Sequence, residues 1–536
     1  MKARFFFIVF LASAFLALGA VPPYLLLRVV DADSGESVPC LVRITDKDGR
    51  VKAAGELYGR GTGLPAKHRT REWFCHEGGM GEIKGVFGDL KVEALAGPEY
   101  EMGVGTIGIR AGQRKSMVIK LKRIAHPAKA GWRSGNTHLH LMKLTREQAD
   151  RYLRTVPRCD GLELVFVSNL RRAQEEAGYI TNEHRPADLR KLEAKDLKFG
   201  WGEEHRHNYG PGGQGYGHVM LLNIKQLVRP VSIGPGIMRK GTDDPPLQRG
   251  LREARGQGGT VVWCHNSFGL EDIPNWFGGT VDAQNIFDGG GHDSYEKTFY
   301  RYLNVGLRVP FSTGTDWFIY DFSRVYVKMA GALTAERWLE GLRAGRSYIT
   351  NGPLLELRCG QRDIGDVIAI DKPQRLAFRG QARGRNNFRK VQLVYNGRVV
   401  ADAPARESGG HHVANVSWAL EAKEPGWVAL RVDSGFATLP VTAPVTAKGK
   451  GVNEFGQGLF GHTSPIYIDY GGKRVFKRET AKELVQEMES AVDEILKRSK
   501  FAGNAQKMEV LRVYEKGIEE LERRIMTAAG GSGGKN

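Results

Sequence analysis

The spacing of apolar and polar residues separates the two ends of the folded chain from its middle. In residues 21–128, short runs alternate between apolar and polar side chains and are interrupted by Gly, Asp and Pro, which is typical of short antiparallel strands. The same alternation returns in residues 354–474, where Asn396-Gly397 lies between two such runs and indicates a hairpin. We therefore predict a small β-sandwich on each side of the middle segment.

The middle segment, residues 129–353, follows another pattern. Hydrophobic runs alternate with helix-like stretches, and a polar cluster follows each run, namely Ser168-Asn169, Gly202-Glu203-Glu204-His205, His265-Asn266 and Ser312 to Asp316. Buried parallel strands with functional residues at their carboxyl ends are the usual plan of an α/β barrel. We expect the polar clusters to gather on one face of this barrel. The whole chain is then a multidomain protein that combines an α/β domain with β domains.

The two ends of the chain carry signals of their own. In residues 1–20, Lys2 and Arg4 precede an apolar run that is followed by small residues, which is the pattern of a secretory signal peptide. No later stretch approaches the ~20 apolar residues of a membrane span. We predict an exported protein, periplasmic or extracellular, with an uncleaved N-terminal anchor as the alternative. Apolar periodicity predicts a helical tail over 475–528, and 529–536 is expected to be disordered.

Net charge excludes little by itself. The formal charge is +18, but basic and acidic residues are interleaved and no nucleic-acid-binding motif occurs. We therefore expect no nucleic-acid partner and favour an anionic envelope or polysaccharide surface. The five cysteines are scattered and odd in number, so the sequence does not predict a disulfide framework.

His138-Leu139-His140 is the first candidate for chemistry. On a strand, side chains two apart point to the same face, so both imidazoles could bind one metal ion. A single such pair is weak evidence. The hypothesis requires further ligands at the ends of other strands.

Several ordered motifs supply such candidates. They are Asn-Thr-His138-Leu-His140, Gly202-Glu203-Glu204, Gly217-His218, Val-Val-Trp-Cys-His265, Thr-Gly-Thr-Asp316 and Tyr348-Ile-Thr-Asn-Gly352-Pro353. In this order the motifs resemble the CehA/McbA family of metallohydrolases in the PHP superfamily, over residues 130–355. The resemblance implies a distorted seven-stranded (β/α) barrel, and the N-terminal segment resembles the carboxypeptidase-regulatory-like modules that precede exported enzymes.

The resemblance also implies a ligand set. His138 and His140 would bind a first metal together with Asp316, Glu204 would bridge, and His218 with His265 would hold a second. Glu203 is the alternative to Glu204. The implied cofactor is one or two divalent ions, with zinc favoured and manganese or iron as alternatives, because imidazole and carboxylate ligands suit all three.

The chain departs from the family pattern at three positions. Ser168-Asn169 stands where relatives usually have Asp-His, and Phe318 stands where a histidine is frequent. In the family both positions typically serve a third metal or a charged group of the substrate, so the resemblance implies a site with one or two metals. Asn136 replaces a frequent aspartate, and this removes a possible partner for a ligand histidine.

The expected function is hydrolysis by a metal-activated water, on an amide, ester or carbamate bond of a small-molecule or polymer-fragment substrate. The alternatives are a phosphoesterase with the same site and a non-catalytic protein that contains metal and binds an envelope polysaccharide. His205 and His207 are candidates for proton transfer, although a solvated loop is an equally good interpretation. Asn266 and Trp317 are candidates for substrate contact, because they neighbour the ligand motifs.

Overall fold

A computed structural model describes residues 22–173, 183–210, 215–266, 268–290, 294–433 and 451–530. The predicted signal peptide at 1–20 lies outside the described residues, as does the chain end from 531. Within the described ranges, no helix combines the length and the apolar character that crossing a membrane requires.

The N-terminal region is built from short strands: β1 (Tyr24–Asp31), β2 (Cys40–Asp46), β3 (Tyr58–Gly59), β4 (Phe74–His76), β5 (Met80–Lys84), β6 (Gly88–Leu95), β7 (Gly103–Ile109) and β8 (Arg114–Leu121). They form two sheets, with the orders β5-β1-β8 and β3-β4-β2-β6-β7. Alternate residues of β1, such as Leu25 and Leu27, are buried against Val42 and Ile44 of β2 in one core. The period-two pattern of the sequence therefore marks the buried faces of these strands.

The middle region contains most of the short helices. Its strands are β9 (Trp132–His140), β10 (Leu164–Asn169), β11 (Lys198–His207), β12 (Gly217–Leu222), β13 (Ser232–Ile233), β14 (Thr260–Trp263), β15 (Ala283–Asn285), β16 (Phe311–Ser312), β17 (Asp316–Trp317), β18 (Arg324–Lys328) and β19 (Ser347–Thr350). Its helices are α1 (Arg146–Cys159), α2 (Pro186–Arg190), α3 (Pro235–Met238), α4 (Leu247–Gly256), α5 (Asp272–Phe277), α6 (Arg301–Leu303) and α7 (Ala335–Arg343).

Strand pairing brings the end of the middle region back to its start. β9, β10 and β11 are parallel neighbours, and β14, β15 and β16 are parallel neighbours. β17 then pairs with β9, so the sheet closes on itself. We call the strands β9 to β19 the central sheet.

β12 is the exception to the parallel plan. It is antiparallel both to β11 and to β14, because the nine residues 208–216 that connect it to β11 are too few for a crossover helix. Because β12 runs in the opposite direction, its first residues lie at the edge of the sheet where β11 and β14 end. His218, the second residue of β12, reaches the same edge as the residues that follow the other strands.

The C-terminal region adds strands and a helical pair: β20 (Leu354–Cys359), β21 (Arg362–Asp363), β22 (Val367–Ile370), β23 (Gln374–Gly384), β24 (Lys390–Tyr395), β25 (Arg398–Pro404), β26 (Arg406–Ser408), β27 (His411–Ala422), β28 (Gly426–Asp433), β29 (Gly461–Thr463), β30 (Ile466–Tyr470), α8 (Arg478–Arg498) and α9 (Asn504–Gly530). One sheet has the order β21-β20-β23-β27-β26. β29 pairs with β19, so hydrogen bonds continue from the central sheet across residue 353. α8 and α9 pack on each other and cover α5. The region predicted to be a helical tail thus contains two long helices.

Candidate metal centre

His138 and His140 at the end of β9 point their rings at each other. Both side chains are fully buried, and their Nε2 atoms lie 3.1 Å apart. The other ring nitrogen of each is engaged: His138 Nδ1 donates to Asp288 Oδ2 at 2.8 Å, and His140 Nδ1 donates to the Ser168 carbonyl oxygen at 3.0 Å. Because a carbonyl and a carboxylate only accept, the neutral rings carry their proton on Nδ1. Both Nε2 lone pairs are then directed to one point.

Two carboxylates approach this point. Asp316 Oδ1 lies 3.3 Å from His138 Nε2 and 3.8 Å from His140 Nε2, and Glu204 Oε2 lies 3.1 Å from His140 Nε2. Ligands bound at 2.0–2.1 Å to a tetrahedral ion are separated by about 3.3 Å. The spacing of these four side chains fits one shared divalent ion.

The second oxygen of Glu204 is directed to another pair of imidazoles. Glu204 Oε1 is 2.8 Å from His218 Nδ1 and 3.6 Å from His265 Nε2. Glu204 Oε1 and His218 Nδ1 are buried and lie within hydrogen-bonding distance, but neither atom has a well-oriented hydrogen bond. Buried polar atoms are almost always satisfied. A cation between them would satisfy both, with Glu204 as the bridge.

The six side chains that converge here are called the ligand cluster: His138, His140, Glu204, His218, His265 and Asp316. Groups drawn from it, and a further group of His138 with Cys264 and Asp288, have their potential ligand atoms within 4.8 Å of one another. Buried His, Asp, Cys and Glu groups could therefore hold a metal ion. Burial raises the pKa of the Cys264 thiol well above its usual range, so this sulfur is the least suited of these groups to bind metal.

Alternation along β11 decides between the two neighbouring glutamates. Glu204 faces the imidazoles, whereas the Glu203 side chain points to the other side and its Oε2 accepts a hydrogen bond from the Val228 N–H at 2.9 Å. Successive residues of a strand face opposite sides. Of the two glutamates, Glu204 is the one that belongs to the cluster.

The connections that follow the strands are bent sharply at the cluster. His265, Asn266 and Asp316 have φ values of 54°, 64° and 54°, in the left-handed region that residues other than glycine rarely adopt. Such conformations are concentrated at functional sites. At Gly314, a Cβ would lie 2.5 Å from Cβ of His138, so only glycine allows the chain to pass this close to the first ligand.

Asp288 is a site residue that sequence reasoning missed. It lies in the turn after β15, where Oδ2 accepts from His138 Nδ1 and Oδ1 accepts from the His265 N–H at 3.0 Å. Asn285 donates to Asp288 Oδ2 at 2.9 Å. The carboxylate partner that Asn136 cannot provide is thus supplied from the turn after β15. An aspartate followed by three glycines after a strand-like run was the available signal.

Opposing charges set the protonation of the cluster. Burial disfavours the charged form of His265, but the carboxylates of Asp288, Glu204 and Asp316 raise its pKa to about 10. Burial lowers the pKa of His218 to about 4 in spite of the nearby Glu204. Burial also disfavours ionised Glu204, yet Arg206 and His218 bring its pKa well below the usual range. Glu204 is therefore ionised at neutral pH, as a carboxylate ligand of a cation must be.

Family models, curated proteins and solved structures were compared with the chain, and none matches. The resemblance to the CehA/McbA family thus stays a prediction that depends on the ordered motifs.

The predicted catalytic role of His205 and His207 needs correction. β11 extends through His207, so both residues share a face with Glu203, away from the ligand cluster. The ring of His205 lies beneath α4, where a Cβ at Gly250 would be 2.3 Å from Nε2. His207 Nε2 bonds to Asp243 Oδ1 at 2.8 Å, and its ring stacks on Tyr216. They are buried packing residues because the strand continues where a loop was expected.

The two residues predicted to contact substrate have different surroundings. Asn266 is buried, and its Oδ1 accepts from the Phe287 N–H at 2.8 Å, so this side chain supports the loop, and its contact with substrate stays a prediction. Trp317 is half-buried beside the cluster, with its ring centre 5.2 Å from that of His140. Trp317 is therefore placed to form a wall of the site.

The positions that depart from the family pattern contribute no ligand side chain. The main-chain carbonyl oxygen of Ser168 accepts a hydrogen bond from His140 Nδ1. The side-chain amide of Asn169 donates to the Gly202 carbonyl at 3.2 Å. Phe318 is buried and packs against Tyr152, with ring centres 5.6 Å apart.

Arg206 is the second site residue missing from the predictions. It follows Glu204 by two residues on β11, pairs across the strands with His218, and places Nη1 3.5 Å from Glu204 Oε2. Period-two alternation from Glu204 was sufficient to find it.

Proposed function

We propose that the chain is a metal-dependent hydrolase of CehA/McbA type, with a PHP-like barrel formed by the central sheet. The main support for a bound metal ion is the pair of facing Nε2 atoms of His138 and His140. The Nδ1 protons of both rings are donated to other groups. The two Nε2 atoms therefore face each other beside the carboxylates of Asp316 and Glu204. A cation removes the repulsion of their lone pairs.

The ligand cluster divides naturally into two metal positions. His138, His140 and Asp316 would hold one ion, His218 and His265 the other, and Glu204 would bridge through its two oxygens. Nitrogen and oxygen ligands suit zinc, manganese and iron, and zinc is our first choice because tetrahedral spacing fits the first position. The proposed cofactor is therefore one or two divalent ions.

A bound divalent ion lowers the pKa of water from about 15.7 to about 7 and polarises the bond to be cleaved. The chain supplies the rest of the environment. Asp288 holds His138 in the tautomer that binds metal. Arg206 places a guanidinium near Glu204, where it can stabilise negative charge that develops on the scissile group. Trp317 borders the site and limits access of water.

The substrate bond that we favour is an amide, ester or carbamate, by the resemblance to the family. A phosphoester is the second candidate, because the guanidinium of Arg206 is a preferred partner of phosphate oxygens. The predicted signal peptide supports export, and this too is part of the proposal.

The first test measures metal and turnover together. The purified full chain should contain zinc or another divalent metal by mass spectrometry, and it should hydrolyse model esters, amides, carbamates or phosphoesters until a chelator removes the metal. His138→Ala/His140→Ala should lose metal and activity, whereas His205→Gln, on the opposite side of the sheet, should keep both. Protein that binds metal but cleaves none of these bonds would favour the non-catalytic polysaccharide-binding alternative.

A further inference from the structure

A cavity of about 550 Å³ lies between the last turns of α9 and three connections of the C-terminal region. The connections are the β24–β25 turn at Asn396, the β27–β28 turn at Glu424-Pro425, and the segment 473–477 that leads into α8. This volume is within the range of about 300–1,000 Å³ that is typical of small-molecule sites. None of its lining residues belongs to the ligand cluster.

Cationic side chains dominate the cavity. Glu424 is the one carboxylate among the described residues that line it, and the cations are Lys473, Arg474, Lys477, Arg523 and Arg524. Arg523 and Arg524 share Glu520, at 2.9 and 2.7 Å. The other three form no ion pair with a carboxylate in the described part of the chain: Lys477 Nζ donates to the Asn396 carbonyl at 2.7 Å, and Arg474 Nη1 donates to the Gly306 carbonyl at 3.4 Å. The cavity thus keeps an excess of positive charge.

The wall between these charges is apolar. Val475 and Phe476 are half-buried against the main core, and Pro425 and Ala528 complete the surface. A small inorganic anion would leave this wall exposed to water, and an uncharged apolar ligand would leave the cations without a partner. Charge complementarity and burial together select a ligand that has both features.

We propose that this cavity binds an organic anion with an apolar body, such as an alkyl phosphate or a fatty carboxylate. The anionic group would lie against Lys473 and Arg474, and the apolar body would cover Val475 and Phe476. The site is independent of the metal centre. Its test does not require hydrolysis.

Binding can be measured on the full chain by calorimetry below the micelle concentration of each probe. Dodecyl phosphate is the main probe, dodecyl maltoside tests the apolar body without charge, and inorganic phosphate tests the charge without the body. We expect dodecyl phosphate to bind at least tenfold more tightly than either of the other two. Equal binding of dodecyl maltoside, equal binding of inorganic phosphate, or no binding of dodecyl phosphate would each overturn the proposal.

Two variants in the cavity and one control variant outside it locate the binding site. Lys473→Glu/Arg474→Glu reverses two exposed charges and should weaken the binding of dodecyl phosphate at least tenfold. The control, Lys372→Glu/Arg375→Glu, makes the same charge change on exposed residues that do not line the cavity. It should change the affinity for dodecyl phosphate less than twofold. Thr527→Trp should reduce the affinity by filling the cavity without a change of charge. If both charge variants weaken binding equally, the ligand responds only to net charge and the cavity is not its site.

Discussion

At the scale of single residues, Asp288 shows how a ligand histidine is held. Its carboxylate accepts the Nδ1 proton of His138 and orients the ring towards the cluster. Outer partners of this kind affect metal affinity by about 10- to 100-fold. We expect Asp288→Ala to weaken zinc binding by that factor, measured by competition with a chromogenic chelator. Asp196→Asn, a change at an exposed carboxylate, is the control, and an unchanged zinc affinity in Asp288→Ala would contradict the assigned role.

Arg206 is the residue at which binding of metal and catalysis can be separated. It contacts Glu204 but has no electron pair to donate to a metal. We expect Arg206→Ala to lower kcat/KM by about 100-fold, as for the loss of one charge-stabilising donor, while the bound metal per chain stays constant. Arg206→Lys should recover part of the activity. A parallel loss of metal and activity would instead show that Arg206 supports only the structure of the site.

At the scale of elements, α5 contains a buried carboxyl group beneath the helical pair. Burial raises the pKa of Asp272 to about 7, although Arg301 acts in the opposite direction. Its Oδ2 accepts from the Tyr302 hydroxyl at 2.5 Å, and Arg301 also pairs with Glu487 of α8. Protonation of Asp272 in α5 is therefore coupled, through Arg301, to the ion pair with Glu487 in α8.

The raised pKa of Asp272 predicts the sign of a pH effect. The folded chain binds the proton more tightly than the unfolded chain, whose Asp pKa is about 3.9. Asp272 should therefore contribute a fall in the free energy of unfolding as pH rises from about 4 to about 7. Asp272→Asn should reduce this fall by roughly 3 kcal/mol, measured by urea unfolding at pH 4.5 and 8. Glu483→Gln, at an exposed position of α8, is the control, and an unchanged pH dependence in Asp272→Asn would refute the assignment.

At the scale of the whole molecule, the N-terminal region is joined to the middle region by a buried ion pair. Arg60 and Asp160 are fully buried, with Nε to Oδ1 at 2.9 Å and Nη2 to Oδ2 at 2.6 Å. Arg60 Nη2 also donates to the Asp321 carbonyl, and the guanidinium lies over Phe455. Residues from three other, distant parts of the sequence meet at the Arg60 side chain.

Loss of either Arg60 or Asp160 should lower the free energy of unfolding, because the other charge is left buried without its partner. Arg60→Met should lower the free energy of unfolding by about 3–5 kcal/mol, as determined by urea unfolding. Arg60→Met/Asp160→Leu should recover most of that loss, because no charge remains without a partner. If the double variant is as unstable as the single one, packing around Arg60 matters more than its charge.

Much of the ligand set could be predicted because it follows from local rules. His138 and His140 share a face by strand alternation, and His265 and Asp316 follow hydrophobic runs whose ends are visible in the sequence. Arg206 was accessible by the same rule once Glu204 was chosen. His205 and His207 were misplaced because the length of β11 depends on its pairing with β12, a neighbour that local pattern does not reveal.

The sequence by itself determined the period-two pattern of the strands in the two end regions, the apolar faces of α8 and α9, and the residue types that can bind metal. Only the tertiary structure decided that Asp288 supports His138, that β12 runs antiparallel and carries His218 to the cluster, and that β29 extends the central sheet. The physical reason is distance along the chain. Alternation and amphipathicity act between near neighbours, whereas a hydrogen bond between residues 138 and 288 exists only after the sheet has closed.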